Sequence, residues 1–325
     1  MLKFIVKRIL TMIPVMLGVS LLVFVILEMA PGDAAESILG EYADEQNLEA
    51  LRDEMGLNDP LLVQWGRYVS DIVLKGDLGT SYKTGMSVTQ SIFERYPTTM
   101  LMAFLGVIVT ALLGITTGII SAVKQYSIWD NLATVFGMIG VSMPSFFSGL
   151  VLVFIFAQKL QWLPASGNYG WSYYILPVLT ISLTSCATQM RMTRSSMLEV
   201  MRQDYIRTAR AKGQTERKII LHHQLRNALI SIITVIGTQA GILLGGTMIV
   251  EQIFAIPGVG KLLMDSISYR DYPMVRGGVL LLALSFSIVN LLVDLVYAAV
   301  DPRIRSQFSS GQKRRNTLRG KERSV

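Results

Sequence analysis

Residues able to do covalent chemistry are few in this chain and badly spaced for it. His222 and His223 are neighbours, about 100° apart on a helix, whereas a two-histidine metal site wants an i, i+4 pair. The lone Cys186 excludes an intramolecular disulfide and any cysteine cluster. GVGK at 258–261 has only part of a phosphate-binding loop, because that pattern needs Gly at 255 and Ser or Thr at 262, where the chain has Ala255 and Leu262. No serine elbow, HExxH or paired inner carboxylates occur. The chain is not read as an enzyme, and it holds no cofactor or metal of its own.

What remains is polarity of two other kinds. Thr180, Ser182, Thr184, Ser185, Thr188 and Gln189 crowd one apolar stretch, and neutral polar groups there suit either a wet path for a solute or hydrogen bonds between helices. The second kind is DYIRTARAKGQTERK, Asp204 to Lys218. Its spacing predicts a short helix over Asp204–Lys212, with Tyr205, Ile206 and Ala209 as an apolar face and Arg207, Arg210 and Lys212 around it. Gly213 then stops it. A basic amphipathic helix of this kind could also rest on anionic lipid.

The surroundings are membrane sequence. Of 325 residues, 51% are hydrophobic and only 16% charged, against about 25% in soluble domains. Mean hydropathy is +0.45. No ionisable residue occurs at Ile9–Leu27, Thr98–Val123 or Leu132–Gln158, and crossing a bilayer takes roughly 20 apolar residues as helix. Tyr173–Gln189, Ala228–Val250 and Gly277–Val300 complete six expected spans. The first run has 19 residues, longer than the roughly 7–15 of a signal peptide, and is read as an uncleaved helix. Glu28, Glu251 and Asp294 lie toward span ends, leaving uncharged middles that disfavour a proton-driven carrier.

With the N-terminus inside, the inner segments hold 21 of the 30 Lys and Arg residues, so both termini are expected in the cytoplasm of a bacterial or archaeal cell, within its plasma membrane. The net charge of +7 then reports topology and attraction to membrane lipid, not nucleic acid. The division expected is an N-terminal transmembrane helix (1–30), an extracytoplasmic cap (31–95), a transmembrane domain (96–300) with a cytoplasmic loop (191–226), and a basic cytoplasmic tail (301–325). The cap carries helical patterns at Glu45–Met55 and in DPLLVQWGRYVSDIVLKGDLG, where Leu62, Trp65, Tyr68, Val69 and Ile72 recur. EQIFAIPGVGKLLMDSI reads as a re-entrant or interfacial hairpin turned by Pro257 and two glycines. Gly237, Gly241 and Gly245, and likewise Gly114 and Gly118, repeat every four residues, the spacing of a close helix–helix seam.

Several segments together carry a resemblance: GVSLLVFVILEMAPGD, DEMGLNDPLLVQW, GDLGTSY, RYPTT, VSMPSFF, DYIRTARAKG with HHQLRNAL, VEQIFAIPGVG, and RDYP with NLLVDLVYAAVDPRIR. They are spread over nearly the whole chain and resemble the first permease subunit of ATP-binding-cassette (ABC) importers for dipeptides, oligopeptides and nickel. The wider signature begins Glu-Ala-Ala; here Arg207, Thr208 and Ala209 stand at those places, a variant common in the peptide and nickel branch. The resemblance implies an all-α membrane protein with the type I importer fold. It implies a second homologous permease, two cytoplasmic ATPases that bind ATP and Mg²⁺, and an external solute-binding protein. It makes Asp204–Gly213 the helix that couples to an ATPase, and peptides the expected solute ahead of nickel or a metal chelate. A stand-alone secondary carrier or channel is the rival class.

Overall fold

The computed structural model describes residues 2–29, 34–40 and 43–300. The basic tail at 301–325 and the start of the cap at 31–33 lie outside the described residues. Among the described residues the chain is helical: α1 Leu2–Met29, α2 Ala34–Leu39, α3 Glu45–Met55, α4 Leu61–Lys75, α5 Val88–Val123, α6 Ile128–Ser142, α7 Ser145–Leu152, α8 Ser172–Met201, α9 Asp204–Ala211, α10 Glu216–Lys218, α11 Leu225–Ile253, α12 Val259–Ser268 and α13 Tyr272–Val300. Short π-helical turns follow α7 and precede α11.

Four helical segments are long and apolar enough to cross a membrane: Ile5–Met29, Val88–Val123, Glu216–Ile253 and Tyr272–Val296. The third expected span is broken. Met143 precedes Pro144, whose ring pushes it out of helical geometry to φ −87, ψ 124, and α6 meets the α7 segment at 111°. Counted as one span, this pair makes five. The expected fourth span lies inside α8, which has 30 residues but falls short on composition; its hydroxyls and the arginines of its inner end lower its hydropathy. Six spans are therefore not reached on length and composition.

The core forms where α5 lies along α8. A Cβ at Gly118 would stand 2.7 Å from the Met190 carbonyl oxygen, and one at Gly114 would stand 2.6 Å from Gln189 Cβ. Only glycine permits that approach. On α11 the seam is shorter than the spacing predicted. Gly237 and Gly241 meet Val293 and Phe286 of α13, but Gly245 has nothing around it. An apolar cluster of Met102, Leu176, Ile181, Leu243, Val250, Phe254 and Ile256 joins α5, α8, α11 and the turn after α11.

The segment between α1 and α5 packs partly on the bundle. The helix predicted at Glu45–Met55 is found with those bounds and ends on Gly56 at φ 66, the left-handed stop that glycine takes without strain. α4 lies against α1. Its Trp65 Nε1 donates to Ser20 Oγ at 3.0 Å, and its Tyr68 ring lies 5.3 Å from that of Phe24. Leu62, expected on the packed face, is 66% exposed. GDLGTSY and RDYP, far apart in sequence, meet: Asp271 accepts from Ser81 Oγ at 2.5 Å and from the Tyr82 backbone N–H at 3.0 Å.

Candidate functional site: the inner end of α8 and the helix α9

α9 begins one short turn after α8 ends and carries the mixed cassette. Its C-terminus follows the Schellman pattern. The Gly213 N–H donates to the Arg210 carbonyl at 2.9 Å and the Gln214 N–H to that of Ala209 at 3.3 Å, while Gly213 sits at φ 73. Ile206 is fully buried and Ala209 nearly so, both against Ile219 with Val200 beside them. This corrects part of the sequence reading: Ile206 and Ala209 are not available to a partner, because they are what fastens α9 to its own chain. Tyr205, Arg207, Thr208 and Arg210 point outward and are exposed, as is Asp204. Arg210 is held by Glu216, Nε to Oε1 at 2.8 Å, and that carboxylate keeps the guanidinium protonated above its ordinary range. His223 Nε2 pairs with Gln214 Oε1 at 2.7 Å, a structural contact. Among the described residues no three His, Cys, Asp or Glu side chains gather as a metal site.

Behind α9 is an ion pair to which sequence reasoning gave no role. Asp130 of α6 is 3% exposed and meets Arg194 of α8 twice, Nε to Oδ1 and Nη2 to Oδ2, each at 2.9 Å. Ser121 Oγ donates to Oδ1 at 2.5 Å and the Tyr126 N–H donates to Oδ2 at 2.9 Å. A bidentate guanidinium–carboxylate pair fixes orientation as well as distance. It locks the α5–α6 turn to the stem from which α9 projects. In sequence, Arg194 counted only toward topology; Ser127-x-x-Asp130 was the available hint, a helix start with its cap.

The polar residues of α8 divide into two sets. Thr180, Ser182, Ser185 and Gln189 are buried within the chain. Thr180 donates to the Leu176 carbonyl at 2.8 Å, and Ser182 to those of Val178 at 2.6 Å and Gly106 at 3.2 Å. Ser185 reaches Gln239 at 3.4 Å, and Gln189 reaches Thr193 at 3.2 Å. Of the six residues expected on a solute path, Thr184 and Thr188 stay on an open face. There they are followed at helical spacing by Arg191, Ser195 and Arg202, all half-buried or exposed. A cleft of about 650 Å³ opens at the inner end of this stripe, lined among others by Thr134, Arg191, Arg194, Ser195 and Arg202.

Comparison with known proteins decides what such a molecule is. Residues 114–306 match the family described as binding-protein-dependent transport system inner membrane component, and residues 1–103 match the N-terminal region of the same kind of membrane component. The chain belongs to this family. The permease is 41% identical over 305 residues to the glutathione transport system permease protein GsiC of Escherichia coli K12, covering 94% of this chain and 99% of that one. It is 43% identical, with the same coverage, to GsiC of Salmonella paratyphi A. Its fold resembles that of the MetNI methionine ABC transporter in inward-facing conformations, with a TM-score of 0.53 at 18% identity over 62% of this chain and 93% of that one. It is an integral, multi-pass ABC importer permease of the peptide and nickel type.

Proposed function

We propose that this permease forms half of the translocation path for short peptides in an ATP-driven importer, and that α9 is where an ATPase subunit acts on it. The observation that carries the reading is the two-sidedness of α9. It is pinned from behind by Ile206 and Ala209 and presents Tyr205, Arg207 and Arg210 to the cytoplasm. A helix fixed in this way transmits a push to α8 instead of rolling under it. The open stripe of Thr184, Thr188, Arg191 and Ser195 supplies the wet wall of the path, because such polarity is costly against lipid. In this reading a second, homologous permease supplies the facing wall. Two cytoplasmic ATPases bind ATP and Mg²⁺, an external binding protein delivers the solute, and both termini are in the cytoplasm. Glutathione is the first peptide to assay, given the names of the similar permeases.

The test uses the complete complex with Gly213→Val. The backbone at φ 73 costs a β-branched residue about 1 kcal/mol or more, so α9 must extend or turn while the membrane helices stay intact. Uptake should fall and ATPase activity should no longer respond to loaded binding protein, although the complex still assembles. Wild-type values for both would remove α9 from the coupling role. Peptide identity is tested separately by the affinity of the cognate binding protein: nickel bound with no peptide affinity would replace the peptide assignment with the metal one.

A further inference from the structure

We propose that α4 is embedded in the outer leaflet of the membrane, with one face on α1 and the other against lipid acyl chains. The first argument is depth. Ser20, the acceptor of the Trp65 hydrogen bond, lies nine residues before the outer end of α1 at Met29. At about 1.5 Å per residue that places it roughly 13 Å inward from that end. The Phe24 ring, which meets Tyr68, is one turn nearer the surface. α4 thus lies beside a membrane helix at membrane depth.

The second argument is the face turned away from α1. Leu62 is 66% exposed, Val63 48%, Val73 75% and Leu74 78%. On a helical wheel these four share one arc with Gly66 and Ser70, and no charge falls within it. The charges of α4 all fall to one side of it and are paired, Arg67 with Asp59 just before the helix at 2.6 Å and Lys75 with Asp71 at 2.8 Å. Apolar surface on both sides of a helix, at that depth, has no use for water. The third argument is continuity. Leu22, Val25, Ile26 and Met29 of α1 are exposed at the same level, so the two helices present one apolar surface. Neighbouring α3 is built the opposite way, with Glu45, Glu49, Asp53 and Glu54 all exposed; it belongs in water. The segment after α1 therefore splits between an aqueous helix and a lipid-facing one.

The experiment uses the intact transporter in lipid nanodiscs, with Cys186→Ser and partner cysteines removed, and a single nitroxide placed in turn at Leu62, Val73 and Glu54. Collision with oxygen, which concentrates in lipid, is compared with collision with a water-soluble nickel chelate. The oxygen-to-chelate ratio should be several-fold higher at Leu62 and Val73 than at Glu54. A ratio at Val73 equal to that at Glu54 would place α4 in water and overturn the proposal. Exclusion of both reagents from Leu62 and Val73 would also overturn it, since that is the signature of a covering protein subunit.

Discussion

Among the carboxylates buried in the described residues, Glu251 and Asp130 lie near opposite ends of α5 and do different work. Glu251, 0% exposed at the C-terminal end of α11, has only neutral partners: Thr99 Oγ1 donates to it at 2.8 Å and the Lys261 N–H at 2.9 Å. Thr99 in turn accepts the Val259 N–H at 2.8 Å, so the pair holds the backbone of the turn that leads into α12. A Cβ at Gly260 would stand 2.9 Å from the carboxylate and 2.5 Å from Met248 Cα; the glycines let the turn close on it. Asp130, 3% exposed, instead meets a guanidinium. Glu251 shapes a turn through neutral donors, whereas Asp130 adds to its own turn contact, the Tyr126 N–H, a charged pair with a second helix. The guanidinium–carboxylate pair can be exchanged for its mirror image at the loss of the Tyr126 N–H bond, whereas Glu251 has no charged partner to exchange with.

That difference can be broken experimentally. The largest loss should follow Glu251→Ala, which leaves a void and strands the Lys261 N–H and the Thr99 hydroxyl in a dry site. Each orphaned group costs about 1–3 kcal/mol, so the thermal midpoint of the purified complex should drop and proteolysis near α12 should rise. An unchanged midpoint would mean the turn holds without its carboxylate. Asp130→Ala comes next, at about 2–3 kcal/mol, because removing one member of a buried pair strands the other but Arg194 remains 28% exposed and partly hydrated. The exchange Asp130→Arg with Arg194→Asp should recover part of the lost stability and of the uptake. If the exchange behaves no better than Asp130→Ala, the pair is not what ties α8 to the α5–α6 turn.

The sequence made some of this legible and hid the rest for physical reasons. The bounds of α3 and the left-handed stop at Gly213 are local properties, set by a few neighbouring residues, and the four-residue spacing of Gly114 and Gly118 marks a packing face without naming its partner. Whether Ile206 faces a partner or its own chain depends on Ile219 across the cassette, and no periodicity within Asp204–Lys212 reveals that. Asp130 and Arg194 are 64 residues apart, and each alone looks like a charge at a membrane boundary. The break at Met143–Pro144 was visible as a proline, yet an uncharged run reads as a span whether it is straight or bent. The hydroxyls of α8 were legible only as a group that suits either a solute path or interhelical hydrogen bonds. The division between buried and open ones needed the positions of α5 and α11.

The coupling account rests on α9, and cross-linking tests it most directly. In the assembled transporter lacking other cysteines, single cysteines are placed at Tyr205, Arg207 and Ile206, and a short bifunctional thiol reagent is added with cysteines on the ATPase surface. Tyr205 and Arg207 should cross-link to an ATPase subunit, in a yield that changes when ATP is bound, while Ile206 should give no product. Cross-links from Ile206 alone, or none from Tyr205 and Arg207 in an active complex, would contradict the account.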